Sequence, residues 1–335
     1  MRRTIVTLGA VALLALTGCS SGSPSGAGSS ADAAASPSAG ESGEDLVPIR
    51  VGAIPIADTA AVYLGADKGF FADEGLDIEV VPITGGSVAV PGVMSGDFDF
   101  AFSNIISMFV ARDQGLPITF VTNGTTNTGE EGADIAAIVV AEDSPLQRPA
   151  DLEGKTVSSN LLSNIGDTTI RHTVDADGGD GSTLEFVEVA VPEVMAALER
   201  GQIDAGLVVE PFLTKALNEG GRALGWNYVA VSEQMDVSGY FTLEKTIEEK
   251  PELVEKFVKA MTTSLEYAND NPDEVRRIVP TYTQIDEATA QSMVLPRFLA
   301  QFNRSSAEIL GKAAAKYGTI SQAPDLDGVL PAGTP

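Results

Sequence analysis

Between Pro48 and Gly124, four short runs rich in β-branched or aromatic residues are separated by stretches of helical spacing. This alternation confines the fold more than any other feature of the 335-residue chain. The runs are PIRVGAI (48–54), LDIEVVPI (76–83), FDFAFS (98–103) and PITFVTNG (117–124), and between them lie DTAAVYLGADKGFF, SVAVPGVMSGD and NIISMFVARDQ. Strands joined by helical crossovers run parallel and bury both faces, so the pattern predicts an α/β sheet with helices on its two sides. Asp58 or Thr59 stands where the first helix needs an N-cap, and Pro91 is tolerated only near the first turn of the second.

The rhythm restarts at DIAAIVVAED (134–143). It continues through TVSSN, a helix from about Thr168, LEFVEV (184–189), a helix from Pro192, DAGLVV (204–209) and a helix from Pro211. Two such series predict two lobes. From about Val231 long helical patterns take over: KPELVEKFVKAMTTSLEYAND, PDEVRRIVP, DEATAQSMVLPRFLAQ and SSAEILGKAAAKYG, the last opening on a Ser305-x-x-Glu308 capping box. Such helices would close the back of the first lobe and make it discontinuous. The expected division is lobe 1 at 47–140, lobe 2 at 141–230, a return to lobe 1 with the C-terminal helices at 231–325, and a tail at 326–335.

The N-terminal residues have a different character. Arg2 and Arg3 precede an apolar run, Ile5 to Leu16, that is too short for a stable membrane anchor, which predicts a secretory signal over 1–18. Leu16-Thr17-Gly18-Cys19 resembles the lipobox of bacterial lipoproteins, so Cys19 is expected to carry a diacylglycerol anchor. It is the only cysteine, which excludes an intramolecular disulfide and a cysteine–zinc site. Residues 19–46 are rich in Ser, Gly, Ala and Pro, with almost no apolar bulk, and predict a flexible tether reaching roughly 30 Å.

The rest of the chain holds enough apolar residues, 44% overall, to build a core without staples. A formal charge of −26 repels nucleic acid and an anionic membrane surface alike. No nucleic-acid partner is expected, and membrane contact only through the anchor. His172 is the only histidine and reads as a packing or surface residue; no HExxH, DxDxDG, GxSxG or P-loop pattern accompanies it. Neither Glu130-Glu131 nor Glu248-Glu249 has the spacing of a catalytic pair or a calcium loop. No enzyme activity, metal or cofactor is expected.

As an ordered set, LGADKGFFADEGLDIEVVPITGG, VMSGDFDFAF, DLEGKTVSSN, LERGQIDAGLVVEPF and KPELVEKFVKA resemble the extracytoplasmic solute-binding proteins of ATP-driven importers. The branch is the one serving nitrate, sulfonates, taurine and thiamine or pyrimidine precursors. The resemblance covers about residues 48–320. It implies a type II periplasmic-binding-protein fold: two α/β lobes joined by hinge crossovers, with a ligand in the cleft and closure by hinge bending. It also implies partnership with a permease and an ATPase, and a monomer is expected. A sensory lipoprotein that reports ligand occupancy to a membrane kinase is the alternative. Cytosolic relatives that make a thiamine pyrimidine use a histidine and a cysteine-rich stretch; the latter is missing here.

In parallel α/β sheets, ligands lie beyond the carboxyl ends of strands, where helix N-termini offer free N–H groups. The candidates on that edge are Asp58 and Thr59 after the first strand, Gly86 and Ser87 after the second, and Ser103 and Asn104 after the third. In the second lobe they are Asn160, Asn164, Gly166, Asp167 and Glu210. Asp58, Thr59 and Ser87 answer equally to helix capping and to ligand contact. Gly85 and Gly86 answer to a tight turn or to close approach of a ligand, and Glu210, in the family's usual acidic-proline pair, to ligand contact or to fixing the next helix start. Asn104 and Asn160 are favoured for the cleft, because an amide both donates and accepts. A small anion wants an arginine fork or bare helix N-termini. Here Asp58 and Asp167 sit at two helix starts, and Arg112, Arg171 and Arg200 fall within helices or near their C-terminal ends. A neutral, zwitterionic or cationic organic molecule fits better, sulfonate- or taurine-like, pyrimidine or another heterocycle; Tyr63, Phe102 and Tyr240 are either stacking partners for it or core.

Overall fold

In a computed structural model, described here for residues 46–335, the chain forms two mixed sheets. Cys19 and nearly all of the expected signal and tether lie outside the described residues. The strands are β1 (Val47–Ala53), β2 (Leu76–Pro82), β3 (Phe100–Asn104), β4 (Ile118–Thr126), β5 (Ala136–Val140), β6 (Thr156–Ser159), β7 (Glu185–Glu188), β8 (Ala205–Val209), β9 (Arg222–Gly225), β10 (Asp236–Leu243) and β11 (Arg297–Phe298). The first sheet has the order β11-β4-β10-β3-β1-β2, and the second β7-β6-β8-β5-β9.

The parallel expectation holds for the β2-β1-β3 and β7-β6-β8 cores. It fails at β10, antiparallel to β3 and β4, and at β5, antiparallel to β8 and β9. Both exceptions follow a passage of the chain from one sheet to the other, through residues 127–135 and 226–235. A strand arriving from the opposite lobe enters without a helical crossover, so nothing imposes the parallel sense. The division at residue 140 left β5 with the first lobe; its hydrogen bonds place it in the second sheet.

Burial follows the strand period. In β5, Ala137 and Val139 pack under helices Val194–Glu199 and Phe212–Asn218, while Ala136, Ile138 and Val140 face the side that holds helix Ile165–Ala176. In the first lobe, helix Pro251–Asp270 returns to the sheet, and its Phe257 ring stacks on Phe100 of β3 with centroids 3.8 Å apart. The late segment therefore completes the first lobe, and it supplies β10 and β11 as well as helices. The helical pattern DEATAQSMVLPRFLAQ is helical only over Glu287–Ser292 before the chain turns into β11. The final helix, Arg304–Lys316, is capped by Asn303, whose side chain accepts from the Ser305 N–H, rather than by Ser305. Among the described residues no helix is long and apolar enough to cross a membrane.

Candidate functional site

Where the carboxyl ends of β1, β2 and β3 and the amino end of β10 face the carboxyl ends of β6 and β8, a cavity of about 570 Å³ opens between the lobes. Small-molecule sites typically span roughly 300–1,000 Å³. The first lobe contributes Asp58, Phe102, Asn104 and Ser238, and the second Asn160, Leu161 and Leu207. Tyr228, on the second crossover, also lines it. Most of the wall is apolar and the polar groups are few.

Asp58 lies in the turn Ala57–Thr59 after β1 and is 4% exposed. Its Oδ2 accepts from the Thr125 hydroxyl at 3.1 Å, and that hydroxyl in turn meets the Ser238 hydroxyl. Because Thr125 donates to the carboxylate, Ser238 must donate to Thr125. Burial raises the Asp58 carboxyl to about 6, the Thr125 bond opposing it. Asp134, on the first crossover, is also raised by burial. Asn104 is the N-cap of helix Ile105–Asp113, its Oδ1 accepting from Ser107 N–H at 2.9 Å, which leaves its Nδ2 as a donor for the cavity. Asn160 follows β6 and makes no side-chain hydrogen bond among the described residues.

Of the residues expected from sequence, the structure brings Asp58, Asn104 and Asn160 to the cavity wall, together with Gly85 and Phe102. The others do other work. Thr59 neither caps nor faces the cavity: its hydroxyl donates to the carbonyls of Ile54 and Ile56 at 2.7 and 3.0 Å. Gly86 allows the helix start to lie against Ser107 and Ser103, since a Cβ there would fall 2.5 Å from Ser107 Oγ. Ser103 is buried beneath it. Gly166 likewise lets helix Ile165–Ala176 meet β6, a Cβ there falling 2.1 Å from Ser159 Oγ. Asp167 accepts from Ser163 N–H at 2.7 Å, closing the turn that starts the same helix. The Ser87 side chain lies outside the described residues.

Asn164 and Glu210 join the lobes instead of lining the cavity. Asn164 exchanges hydrogen bonds with Ser107 of the first lobe at 3.0–3.2 Å. Glu210 accepts from the Thr214 N–H and hydroxyl at 3.1 and 2.8 Å and from Val294 N–H, across the boundary, at 3.1 Å. Burial raises its carboxyl to about 7. Tyr63 and Tyr240 are core, Tyr63 stacked on Tyr282 at 3.8 Å and Tyr240 fully buried against Phe102 and Phe257.

Sequence reasoning missed Ser238, Phe212 and Tyr228 on the wall. No sequence signal singled them out; Ser238 lies in β10, whose opening Asp236-Val237-Ser238-Gly239 does not read as a strand. The arginines stay away: Arg112 pairs with Glu244, Arg171 donates to the carbonyls of Gly181 and Leu184, and Arg200 reaches Gln202. Among the described residues no group of three or more His, Cys, Asp or Glu side chains is placed to hold a metal ion.

Two α/β lobes with mixed sheets, joined by two crossovers around a cleft, define a periplasmic-binding-protein fold of type II. The chain belongs to the family described as NMT1/THI5 like, whose model matches residues 56–275, well over half its length. It is 25% identical over 247 residues to the formylaminopyrimidine-binding protein of Halalkalibacterium halodurans, covering 73% of this chain and 72% of that protein. It is also 25% identical over 310 residues to the riboflavin-binding protein RibY of Chloroflexus aurantiacus, covering 89% and 84%. In structure it resembles the periplasmic aliphatic sulphonate binding protein SsuA of Escherichia coli, with a TM-score of 0.67, 15% identity and coverage of 84% and 91%. The role common to this fold family is solute binding for ABC importers.

Proposed function

We propose that this chain is the substrate-binding component of an ATP-driven importer. It captures a small organic solute, of the size of a pyrimidine or another heterocycle, between its lobes and presents the closed complex to a permease and its ATPase. A diacylglycerol on Cys19 holds it outside the cell membrane, and residues 20–45 give it reach. The observation that carries this reading is the cavity of about 570 Å³ walled by both lobes, with Asn104 offered from one side and Asn160 from the other. A ligand that touches both lobes only when the cleft is shut shifts the population toward closure by the worth of those extra contacts. A tenfold bias needs only about 1.4 kcal/mol, within reach of one or two hydrogen bonds.

The test is a thermal-shift screen of the purified protein against pyrimidines, flavins, amines and sulfonates, followed by solution scattering with the best ligand. Binding should compact the protein. Asn160→Ala should weaken that ligand by about two- to tenfold, the worth of one hydrogen bond, while the melting temperature of the empty protein stays nearly constant. Saturation with no change in the scattering envelope, or equal affinity in Asn160→Ala, rejects capture by cleft closure.

A further inference from the structure

We infer that the solute carries a protonated nitrogen, seated between the Asp58 carboxylate and the rings of Phe102, Phe212 and Tyr228. The inference rests on the receptor reading above and names the chemical class of its ligand. Among the described residues that line the cavity there is no lysine, arginine or histidine; the ionisable acids are Asp58 and Glu188. An anion removed from water needs several charge-assisted donors, and these walls meet it with carboxylates instead. A cation finds the complement of both its properties. The Asp58 carboxylate supplies the opposite charge, and Phe102, Phe212 and Tyr228 line the same cavity, where an aromatic ring attracts an alkylated or aromatic nitrogen.

The Asp58 side chain is built for this task. One oxygen is held by Thr125, which is held in turn by Ser238, so the carboxylate is oriented from two strands of the sheet. Nearby, Asp134 accepts from the Thr128 N–H and hydroxyl through Oδ1, while its buried Oδ2 has no partner among the described residues. Among the described residues no basic side chain lines the cavity to balance Asp58, and an entering cation supplies that charge. Burial already holds Asp58 up at about 6, and an entering cation would draw it back toward ordinary acidity.

Calorimetry with matched ligands tests the inference: phenethylamine, 2-phenylethanol and phenylacetate on one scaffold, tryptamine, tryptophol and indole-3-acetate on another, with butanesulfonate beside them. The ammonium member of at least one scaffold should bind at least tenfold tighter than its alcohol, and the carboxylates and butanesulfonate weakest. Asp58→Asn, which keeps an acceptor for Thr125, should bring the ammonium compound to within about threefold of its alcohol. The second measurement needs no variant. Between pH 7.5 and 5 the ammonium ligand should weaken at least fivefold and the alcohol should not. The other titratable groups that face Asp58 or share the cavity are Asp134, Glu188 and the phenols of Tyr228, Tyr240 and Tyr282, and the phenols do not ionise in that window. An alcohol or carboxylate that binds as tightly as the amine overturns the charge assignment. So does an ammonium preference that survives Asp58→Asn, or the failure of every amine to bind at millimolar concentration. Capture itself still stands in those cases if the ligand that does bind compacts the protein and is weakened by Asn160→Ala.

Discussion

Ser107 and Asn164 meet across the boundary between the lobes, the Asn164 amide donating to the Ser107 hydroxyl at 3.0 Å. Both are nearly buried. The same Ser107 donates its backbone N–H to Asn104 Oδ1, so one turn of helix Ile105–Asp113 both orients an amide on the cavity wall and holds the opposite lobe. Coupling between occupancy and closure has a short physical path here.

Ser107→Ala removes the cross-lobe bond and leaves the Asn104 cap intact, because that cap uses the backbone. The expected result is a loss of ligand affinity of about two- to tenfold, equivalent to roughly 0.5–1.5 kcal/mol drawn from the closed state. Titration calorimetry reads the affinity, and scattering of the empty protein should show a larger radius of gyration. Wild-type affinity with an unchanged radius would show that the bond does not bias closure.

Glu210 collects three donors on one carboxylate, two from Thr214 and one from Val294 in the other lobe. Truncation to alanine leaves those donors without their partner in a buried place, which should destabilise the protein by about 2–4 kcal/mol in denaturant unfolding. Glu210→Gln keeps an acceptor oxygen and should lose less than half as much. Equal losses in the two variants would mean that the charge, rather than the acceptor, holds the boundary.

Stability should fall as pH rises from 5 to 8. Burial raises Asp58 and Asp236 to about 6 and Glu210 to about 7, while unfolded carboxyls titrate near 4. Between those values the native state binds more protons than the unfolded one. The stability these groups add at low pH is therefore lost as pH rises through 6 and 7. His172 acts oppositely, since burial and Lys316 lower it, but it is one group against three. A melting temperature of the empty protein that climbs between pH 5 and 8 would contradict the assignment.

Gly65→Ala should destabilise the protein although alanine is the better helix former by about 1 kcal/mol. Gly65 lies in helix Ala60–Lys68 where it crosses Pro251–Asp270, and a Cβ there would fall 2.1 Å from Ser264 Oγ and 2.7 Å from Phe71. Ser264 is fully buried and its hydroxyl already donates to Ala260. Overpacking of this kind typically costs about 1–3 kcal/mol. Gly65→Ala combined with Ser264→Ala should recover most of it, and a single variant more stable than wild type would rule the crossing out as a tight contact.

The elements legible in the chain were those whose neighbours in sequence are also their reasons for forming. β1, β2, β3 and β8 are short stretches rich in apolar, mostly β-branched or aromatic, residues between turn formers, and helix Pro251–Asp270 carries its apolar stripe at the spacing of one face. β10 was not legible. It opens Asp236-Val237-Ser238-Gly239, and what makes Asp236 tolerable inside is the set of donors at Asn123, Thr126 and Asn303, each far away in sequence. The run DEATAQSMVLPRFLAQ shows the converse: a helical spacing that stops at Ser292 because Arg297 and Phe298 pair with β4 instead.

The cavity divides in the same way. Asp58, Asn104 and Asn160 were legible because each follows a buried strand, and strand ends in α/β sheets face ligands wherever the sheet lies. That Thr59, Glu210 and Asn164 turn to the main chain or the opposite lobe, while Ser238 and Tyr228 reach the wall, depended on which strands the two crossovers set side by side. Sequence by itself determined the two α/β series, the strand-end polar groups and the acidity, since all are properties of consecutive residues or of composition. Only the tertiary structure decided the antiparallel insertion of β5 and β10 and the carboxylate-and-aromatic lining of the cleft, because both arise from hydrogen bonds and contacts between segments far apart in the sequence.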